Sequence, residues 1–224
     1  RATVAWTEVH AAGSDIRLAQ FDPTAGGGTG AWIALGNSLN ASGISASGQA
    51  DHVRLIETSF GLVVTWQESV GGNTQVYARR FDGSNWVALG IGSDTGGGIS
   101  GALPGAEVSD LAIAQTTGKF AVAWTHFDTA SGIRQVYLRE YNGTAWNAIN
   151  GSATGLGVSG QTSVDQAFAA PLTDNRQPSL AYHGSDLFVA WQAFVDEGSS
   201  IVVLRYANGA GPATNVSNAA TDPL

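Results

Sequence analysis

One short apolar segment that ends in tryptophan occurs four times along the 224-residue chain. The four copies are Thr3–Trp6, Val63–Trp66, Val122–Trp124 and Phe188–Trp191. Self-similarity at a long period is typical of an array in which one structural unit is repeated. The repeat restricts the possible folds more than any other feature, because each copy must bury its apolar face against a neighbouring copy.

Each tryptophan segment is part of a longer pattern of strand-like segments and turns. A second apolar segment follows it: Ile16–Phe21, Val76–Phe81, Val136–Tyr141 and Ile201–Tyr206. A turn comes next: Asp22-Pro23, Asp82-Gly83, Asn142-Gly143 and Asn208-Gly209. A further segment ends the copy: Trp32–Gly36, Trp86–Gly90, Trp146–Ile149 and Ala213–Val216. Asp-Gly and Asn-Gly are strong hairpin signals, because both central residues of a type I′ turn take positive φ.

One more strand-like segment precedes the tryptophan segment in three copies: His52–Ile56, Leu111–Ala114 and Pro178–Tyr182. Four short strands per copy predict an all-β fold, a β-propeller of four four-stranded blades in a single domain of residues 1–224. The repeats then cover approximately residues 1–50, 51–108, 109–175 and 176–224.

The two ends of the chain are expected to meet in the first blade. Asp222–Leu224 looks like the start of the strand that the first repeat lacks. Strands from the N- and C-terminal ends would then close the ring and hide its sheet edges. The alternative is that the four repeats form part of a larger propeller, or half of a ring made by two chains.

The repeats resemble those of secreted and cell-surface bacterial β-propellers. The shared features are a Val-Ala-Trp strand, an aromatic-Asp-Gly turn and a Trp-x-x-Leu-Gly segment, as in Trp86–Gly90. This resemblance implies the architecture and an extracellular or cell-surface location in a bacterium, and it specifies no activity. The segment Asp82–Trp86 lacks the leading serine and the spacing of the sialidase-type Asp box, so no sialidase residue is assigned.

The charge and the residue types that are missing exclude several classes of function. The formal net charge is −8 and Lys119 is the single lysine, so a nucleic-acid partner is not expected. No apolar run approaches about 18 residues, so we expect no membrane insertion. The chain has no cysteine, which excludes disulfides and zinc–thiolate sites. It also has no methionine and opens on a strand-like segment, which indicates a processed or excised product.

All seven tryptophans occupy two positions of the repeat. We expect them to pack between neighbouring sheets, and the alternative is that some are exposed platforms on which sugars stack. The linkers 37–50, 91–107 and 151–176 are rich in glycine, serine and alanine and are interpreted as exposed spacers.

Three aspartates precede the first strand of a repeat: Asp51, Asp110 and Asp222. The first strand of a propeller blade is innermost, so these carboxylates could ring the central channel and hold calcium. The alternative is that each aspartate bonds its own turn and that the protein has no cofactor. The fourth repeat has Arg176 or Gln177 at this position, which breaks the symmetry of such a ring.

Polar residues also recur two positions after the strand tryptophan: Glu8, Glu68 and His126, with Ala193 in the fourth repeat. Two carboxylates can perform acid–base chemistry when they lie about 5–10 Å apart. Glu8 and Glu68 come from different repeats and have no evident catalytic partner, so solvated strand ends are the preferred interpretation.

These observations predict a non-enzymatic extracellular propeller that acts as an adhesion or structural assembly subunit. Its partner would be a protein or glycan surface, and homo-oligomers or filaments are expected because the surface carries little charge. One alternative is a lectin-like carbohydrate-binding module with repeated sites, which would gain avidity from weak individual sites. A second alternative is a degenerate glycan-processing enzyme.

Overall fold

A computed structural model describes residues 1–101, 106–129, 132–161, 174–195, 198–209 and 213–216. The chain forms two compact units, Arg1–Leu103 and Pro104–Leu224. Each unit contains two antiparallel sheets, and the strands follow one another in chain order within every sheet. Single turns of 3-10 helix at Gly26–Gly28 and Ala207–Gly209 are the helical elements of the described residues.

The first unit contains sheets 1 and 2. Sheet 1 consists of β1 (Thr3–His10), β2 (Gly13–Asp22) and β3 (Ala31–Ile33). Sheet 2 consists of β4 (Ala50–Thr58), β5 (Gly61–Val70), β6 (Asn73–Phe81) and β7 (Trp86–Ala88).

The second unit contains sheets 3 and 4. Sheet 3 consists of β8 (Ala106–Thr116), β9 (Lys119–Asp128), β10 (Ile133–Tyr141) and β11 (Trp146–Asn147). Sheet 4 consists of β12 (Asp174–His183), β13 (Asp186–Val195), β14 (Gly198–Tyr206) and β15 (Ala213–Asn215).

The prediction of an all-β fold built from four repeated antiparallel sheets is confirmed. Sheets 2, 3 and 4 have the four predicted strands, and sheet 1 has three. No ring closed by the two chain ends is present in the described residues, and Asp222–Leu224 lies outside them.

The repeated tryptophans contribute unequally to the two cores. Trp66 stacks on Tyr77 with ring centroids 5.9 Å apart, and Trp124 stacks on Tyr137 at 6.1 Å. Both tryptophans are fully buried, as expected for residues that fill the space between sheets. Trp32 is 52% exposed, so the repeat position alone does not determine burial.

In sheets 1, 2 and 3 the last strand is too short to cover the strand beside it. We call these neighbours, β2, β6 and β10, the third strands, because sheet 1 lacks the first of the four strands. β3 and β7 have three residues and β11 has two, whereas β2, β6 and β10 have nine or ten. An uncovered strand edge leaves backbone N–H and C=O groups without partners. The loops 37–49, 91–101 and 151–161, here called the edge loops, supply those partners.

The edge loops pair with the third strands through the backbone at two points. At the first point a strand amide donates to a loop carbonyl: Leu18 to Ser38 at 3.4 Å, Ala78 to Ser93 at 2.8 Å and Leu138 to Ser152 at 3.0 Å. At the second point a loop amide donates to a strand carbonyl: Ile44 to Ile16, Ile99 to Val76 and Val158 to Val136, at 2.6–2.7 Å. The edge loops are therefore integral to the sheets, and the interpretation of these residues as spacers is wrong.

A buried serine hydroxyl completes each edge loop. The Oγ atoms of Ser45, Ser100 and Ser159 accept the backbone N–H of Ile16, Val76 and Val136 at 3.0–3.1 Å. Each hydroxyl also bonds the side chain one residue before that amide: Asp15 at 2.9 Å, Gln75 at 2.6 Å and Gln135 at 2.5 Å. A serine hydroxyl can do both because it donates once and accepts twice.

One glycine lets each edge loop approach its strand. Gly98 has φ of 59°, and a Cβ placed on it would collide with the backbone carbonyl of Val76. Gly96, two residues earlier, has φ of 58° and open space around the corresponding position. The left-handed conformation favours glycine at both positions, but only Gly98 also needs a missing side chain for close approach.

Replacing these two glycines by alanine separates backbone strain from steric collision. We expect Gly96→Ala to lower the free energy of unfolding by about 1 kcal/mol, the cost of a left-handed alanine. We expect Gly98→Ala to lower it by about 3 kcal/mol, because the collision with the Val76 carbonyl is added. Chemical denaturation of both variants measures the difference, and equal losses would contradict the role of the close approach.

Candidate functional site

Glu8 neutralises a buried arginine. Arg17 Nε donates to Glu8 Oε2 at 2.5 Å, and the same guanidinium donates to the carbonyl of Ala41 at 2.9 Å. Arg17 is only 6% exposed, so its charge requires a partner. The carboxylate of Glu8 is therefore engaged in holding β1, β2 and the first edge loop together.

Glu68 and His126, the other two residues of the predicted polar set, lie in different surroundings. Trp66 donates its indole N–H to Glu68 Oε2 at 2.8 Å, which satisfies the polar atom of a buried ring. His126 is 6% exposed, and its ring centroid lies 5.2 Å from that of Tyr137. Glu8, Glu68 and His126 are thus each paired within their own sheet.

The three aspartates of the predicted calcium ring do not occupy equivalent positions. Asp51 precedes the left-handed residue of β4, whereas Asp110 is itself the left-handed residue of β8. Asp222 lies outside the described residues. Among the residues that the structure describes, no three His, Asp or Glu side chains converge as a metal-ligand group.

A bulge interrupts the first strand of sheets 2, 3 and 4 at the same place. Pairing with the second strand is irregular between Asp51 and Arg54, between Ser109 and Ala112, and between Arg176 and Ser179. The left-handed residues are His52, Asp110 and Gln177, with φ of 53°, 53° and 54°. Non-glycine residues rarely adopt this conformation, which costs about 1–2 kcal/mol, and three polar residues adopt it here.

The two bulges of the second unit face each other across β8 and β12. Asp110 Oδ2 lies 3.4 Å from the backbone nitrogen of Gln177 and 3.4 Å from Ser109 Oγ. We call Ser109, Asp110, Arg176 and Gln177 the bulge rim. Both contacts of Asp110 are long for hydrogen bonds, so its carboxylate oxygens can still accept from a ligand.

Other aspartates of the protein are held much more tightly. Backbone N–H groups of Asn85 and Ser84, at 2.8 and 2.9 Å, keep the pKa of Asp82 below its usual range. The Asn208 N–H and the Arg205 guanidinium, both at 2.8 Å, lower the pKa of Asp186 in the same way. These carboxylates cap turns, which distinguishes them from Asp110.

A second carboxylate lies on the same strand as part of the bulge rim. Arg176 Nε donates to Asp174 Oδ2 at 2.7 Å, and the backbone N–H of Arg134 donates to Asp174 Oδ1 at 3.0 Å. The Arg176 guanidinium also lies 5.1 Å from the ring centroid of Phe194, a cation–π distance. Asp174 and Phe194 therefore fix the direction in which Arg176 points.

The single bulge of the first unit carries a comparable polar group. Thr7 donates its hydroxyl to Asp51 Oδ1 at 3.1 Å, and His52 Nδ1 lies 3.3 Å from Asp51 Oδ2. Both side chains of the Asp51–His52 pair are about 60% exposed and accessible from solvent.

Buried polar atoms lie opposite two of the bulges. Gln67 pairs with Asp51 and Thr125 pairs with Ser109 across the first and second strands. Gln67 is 7% exposed and Thr125 is fully buried, and neither Gln67 Nε2 nor Thr125 Oγ1 has a hydrogen-bond partner among the described residues. Unsatisfied buried polar groups are costly and are concentrated at functional positions.

The predicted aspartate set was chosen by residue type and not by position. Counting 14 residues back from Trp66, Trp124 and Trp191 reaches His52, Asp110 and Gln177, which are the three left-handed residues, so Asp51 lies one position too early to match Asp110. A usable signal was present one position after each tryptophan, where every repeat has a polar residue: Thr7, Gln67, Thr125 and Gln192. Strand alternation places that residue on the face opposite to the tryptophan.

No protein-family model and no curated protein matches the chain. Among solved structures it resembles a thermostable family-43 glycoside hydrolase, with 10% identity and a TM-score of 0.46, covering 97% of this chain and 73% of that one. It also resembles the Trypanosoma rangeli sialidase in complex with the inhibitor DANA, with 8% identity and a TM-score of 0.46, covering 85% of this chain and 32% of that one.

A third similar structure is Zg3597, a family 117 glycoside hydrolase from the marine bacterium Zobellia galactanivorans. Its identity is 11% and its TM-score 0.45, covering 72% of this chain and 53% of that one. The chain thus spans about a third to three quarters of the length of these three proteins.

These comparisons correct the prediction of a non-enzymatic adhesion or assembly subunit. The similar structures are glycoside hydrolases and a sialidase, which contradicts both that prediction and the prediction that the chain is not an enzyme, while the likeness itself is one of fold. The physical reason is that the prediction relied on the absence of contiguous catalytic motifs. A β-fold assembles its sites from strands that are far apart in the sequence, so such motifs are not required.

No helix of the described part is long and apolar enough to cross a membrane.

Asp15, beside the Glu8–Arg17 pair, gives the protein a pH-dependent stability. Burial raises the pKa of this carboxyl, but bonds from the Gly48 amide, His10, Ser45 and the Ser47 amide outweigh it and lower the pKa below its usual range. A lowered pKa in the folded state stabilises the fold above the unfolded pKa of about 3.9, and this stability is lost as the pH falls.

Asp15→Asn tests this contribution. We expect it to lower the free energy of unfolding at pH 7 by about 1–2 kcal/mol, because an amide NH₂ would face the donors that now point at Asp15. The loss shrinks as the pH falls below about 4, where Asp15 itself becomes protonated. Denaturant titrations from pH 7 to pH 3 measure the difference, and a loss independent of pH would contradict the assignment.

Proposed function

We propose that this chain processes glycans, that the sugar binds at the bulge rim of the second unit, and that Asp110 is its acid–base residue. The observation that carries this proposal is the state of Asp110. It is a polar residue in a strained left-handed bulge, and its carboxylate oxygens have no hydrogen bond shorter than 3.4 Å. Strain of this kind persists where function requires it, and bulges commonly re-aim side chains beside active sites.

The neighbouring groups suit a polyhydroxylated ligand. Gln177 offers an amide that can donate to one hydroxyl and accept from another, and Ser109 offers a hydroxyl of its own. Arg176 is fixed by Asp174 through Nε and Nη2 and can donate from its remaining N–H groups. Together these groups form a hydrogen-bonding surface, which matches the hydroxyl groups at the edge of a sugar ring better than it matches a lipid.

The chemistry requires a carboxyl group that can exchange a proton with the glycosidic oxygen. Glycoside hydrolysis uses two carboxyl groups, one that protonates the leaving oxygen and one that activates water or attacks the anomeric carbon. In this proposal Asp110 exchanges the proton. Asp174, held by Arg134 and Arg176, is the second carboxyl group and stabilises the positive charge that develops on the sugar.

The four sheets are proposed to be blades of a β-propeller. The support is their common strand order and the adjacency of first strands within a unit, where a β8 side chain contacts β12. β1 has a free edge in the described residues, so a strand from residues near 222 or from further blades would complete sheet 1. An extracellular or cell-surface location is proposed with it, since polymeric glycans are met there.

The Asp110→Asn and Asp110→Gly variants test the role of Asp110 from two sides. Asparagine tolerates positive φ and keeps the shape, so Asp110→Asn should fold normally and lose at least 100-fold in sugar release. Asp110→Gly removes the strain, so it should lose the same activity while gaining about 1 kcal/mol in stability. The matched control is Asp186→Asn in the same unit, which removes a turn-capping carboxylate and should leave sugar release intact.

Release of reducing sugar from arabinan, xylan, rhamnogalacturonan II and sialyllactose provides the measurement. This panel follows the similar structures, which include a sialidase, an α-L-arabinofuranosidase and a complex with an RGII chain. If the wild-type protein binds one of these glycans but releases no sugar from it, the lectin-like alternative replaces the catalytic proposal. Asp110→Asn with full activity would remove Asp110 from the mechanism.

A further inference from the structure

A cleft of about 410 Å³ opens in the first unit, where the end of β2 meets the hairpin between β4 and β5. Its polar lining includes Gln20, Glu57, Arg80 and Asp82, and the ring of Phe81 contributes to its apolar lining. The volume falls in the range of roughly 300–1,000 Å³ that small-molecule sites occupy. The cleft lies at the end of β4 opposite to the bulge at Asp51–Arg54, so it is separate from the bulged end of sheet 2.

The equivalent place in the second unit is filled by side chains. Gln20 and Glu140 each precede the last aromatic residue of their strand. Glu57 and Tyr182 each lie five residues after the left-handed residue of a bulge. Tyr182 donates its hydroxyl to Glu140 at 2.5 Å, and Lys119 Nζ lies 3.1 Å from the same carboxylate. Repeat symmetry thus gives a closed junction in one unit and an open one in the other.

The closed junction is a stable neutral network. Burial, and after it the contact with Glu140, raises the pKa of Tyr182 above its ordinary range, so its hydroxyl remains a donor. Lys119 neutralises the Glu140 carboxylate, which is only 6% exposed. The same residue types at the equivalent positions would close the junction of the first unit, but that junction is open.

The polar groups of the open cleft are available to a ligand. The side chains of Glu57 and Arg80 make no hydrogen bond or ion pair within the described part of the chain. Asp82 uses Oδ1 for the amides of Ser84 and Asn85 and makes no other hydrogen bond to the described residues. Hydrogen-bond donors and acceptors with unused capacity therefore line the cleft from two sides.

The charges of the cleft select among ligands. Glu57 and Asp82 outnumber Arg80, and the whole chain carries a formal charge of −8, so an anionic ligand is repelled. Carboxylates accept hydrogen bonds from hydroxyls, the guanidinium and the Gln20 amide donate to them, and aromatic faces attract the weakly positive C–H groups of a sugar ring. A neutral ligand rich in hydroxyl groups satisfies all of these groups at once.

We propose that the cleft between β2 and the β4–β5 hairpin is a second binding site, specific for a neutral saccharide of about two sugar units. It goes beyond the glycan-processing role of the bulge rim and does not depend on it. In the cleft Glu57 and Arg80 bind adjacent hydroxyls, and Phe81, held against Trp86 with ring centroids 5.5 Å apart, provides the floor.

Amide chemical shifts of Gly61 and Gly83, which line the cleft, report binding directly. The full chain is titrated separately with cellobiose, xylobiose, mannobiose and lactose at millimolar concentration, and with digalacturonate as the anionic comparison. We expect saturable shifts with at least one neutral disaccharide and none with digalacturonate. Silence from all four neutral sugars overturns the proposal, and so does binding of digalacturonate alone.

Three variants localise the effect. Glu57→Gln and Arg80→Gln should each raise the Kd at least tenfold. The double variant Gln20→Glu with Glu57→Tyr copies the closed junction of the second unit and should abolish the shifts. The matched control is Arg205→Gln, which alters the residue equivalent to Arg80 in sheet 4 and should leave the Kd unchanged.

An unchanged Kd in both Glu57→Gln and Arg80→Gln would overturn the assignment. Asp110→Asn should bind the disaccharide as the wild type does, so failure of the bulge rim and failure of the cleft are separate outcomes.

Discussion

The covering of the third strand's outer edge is the constraint on which the rest of the structure depends. The last strands β3, β7 and β11 are too short to cover it, so in each of sheets 1, 2 and 3 an edge loop completes the pairing with two backbone bonds and one serine hydroxyl. Without them each sheet would present unpaired amides at its edge, which exposes a chain to water and to aggregation. The loops also bring Ile44, Ile99 and Val158 into the cores, so edge protection and core packing come from the same residues.

A rigid outer edge allows the opposite edge of each sheet to be irregular. The first strands β4, β8 and β12 each contain a bulge and a strained polar residue, at a total cost of several kcal/mol within a marginally stable fold. The buried stacks Trp66–Tyr77 and Trp124–Tyr137 lie between these two edges and hold the sheets in register. In this arrangement the regular part of each sheet supports a first strand whose polar groups remain available, as the long contacts of Asp110 show.

The strands were predictable from the sequence because their signals are local. Val63–Trp66 predicts a strand by its apolar β-branched residues, and β5 extends from Gly61 to Val70 around that segment. The bulges were not predictable, because an extra residue in a strand leaves no compositional mark, although His52, Asp110 and Gln177 all lie 14 residues before the tryptophan of their repeat. The edge loops were misread because composition does not show that the hydroxyl of Ser100 replaces a strand partner. Asp110 was singled out by sequence for a metal, and only contact distances separate it from turn-capping aspartates such as Asp82. Glu57 and Tyr182 both lie nine residues before the tryptophan of their repeat, but only the contact of Tyr182 with Glu140 shows that one junction is closed.

Native-state hydrogen exchange at the amides of Leu18, Ala78 and Leu138 tests the central claim most directly. These amides face the outer edge of the third strand and donate to loop carbonyls rather than to a fourth strand. If the edge loops are integral to the sheets, the three amides should be protected about as strongly as the amides in the middle of β5 and β9, and should open only with the whole sheet. Exchange at rates close to those of an exposed edge would show that the loops detach independently and would contradict the account.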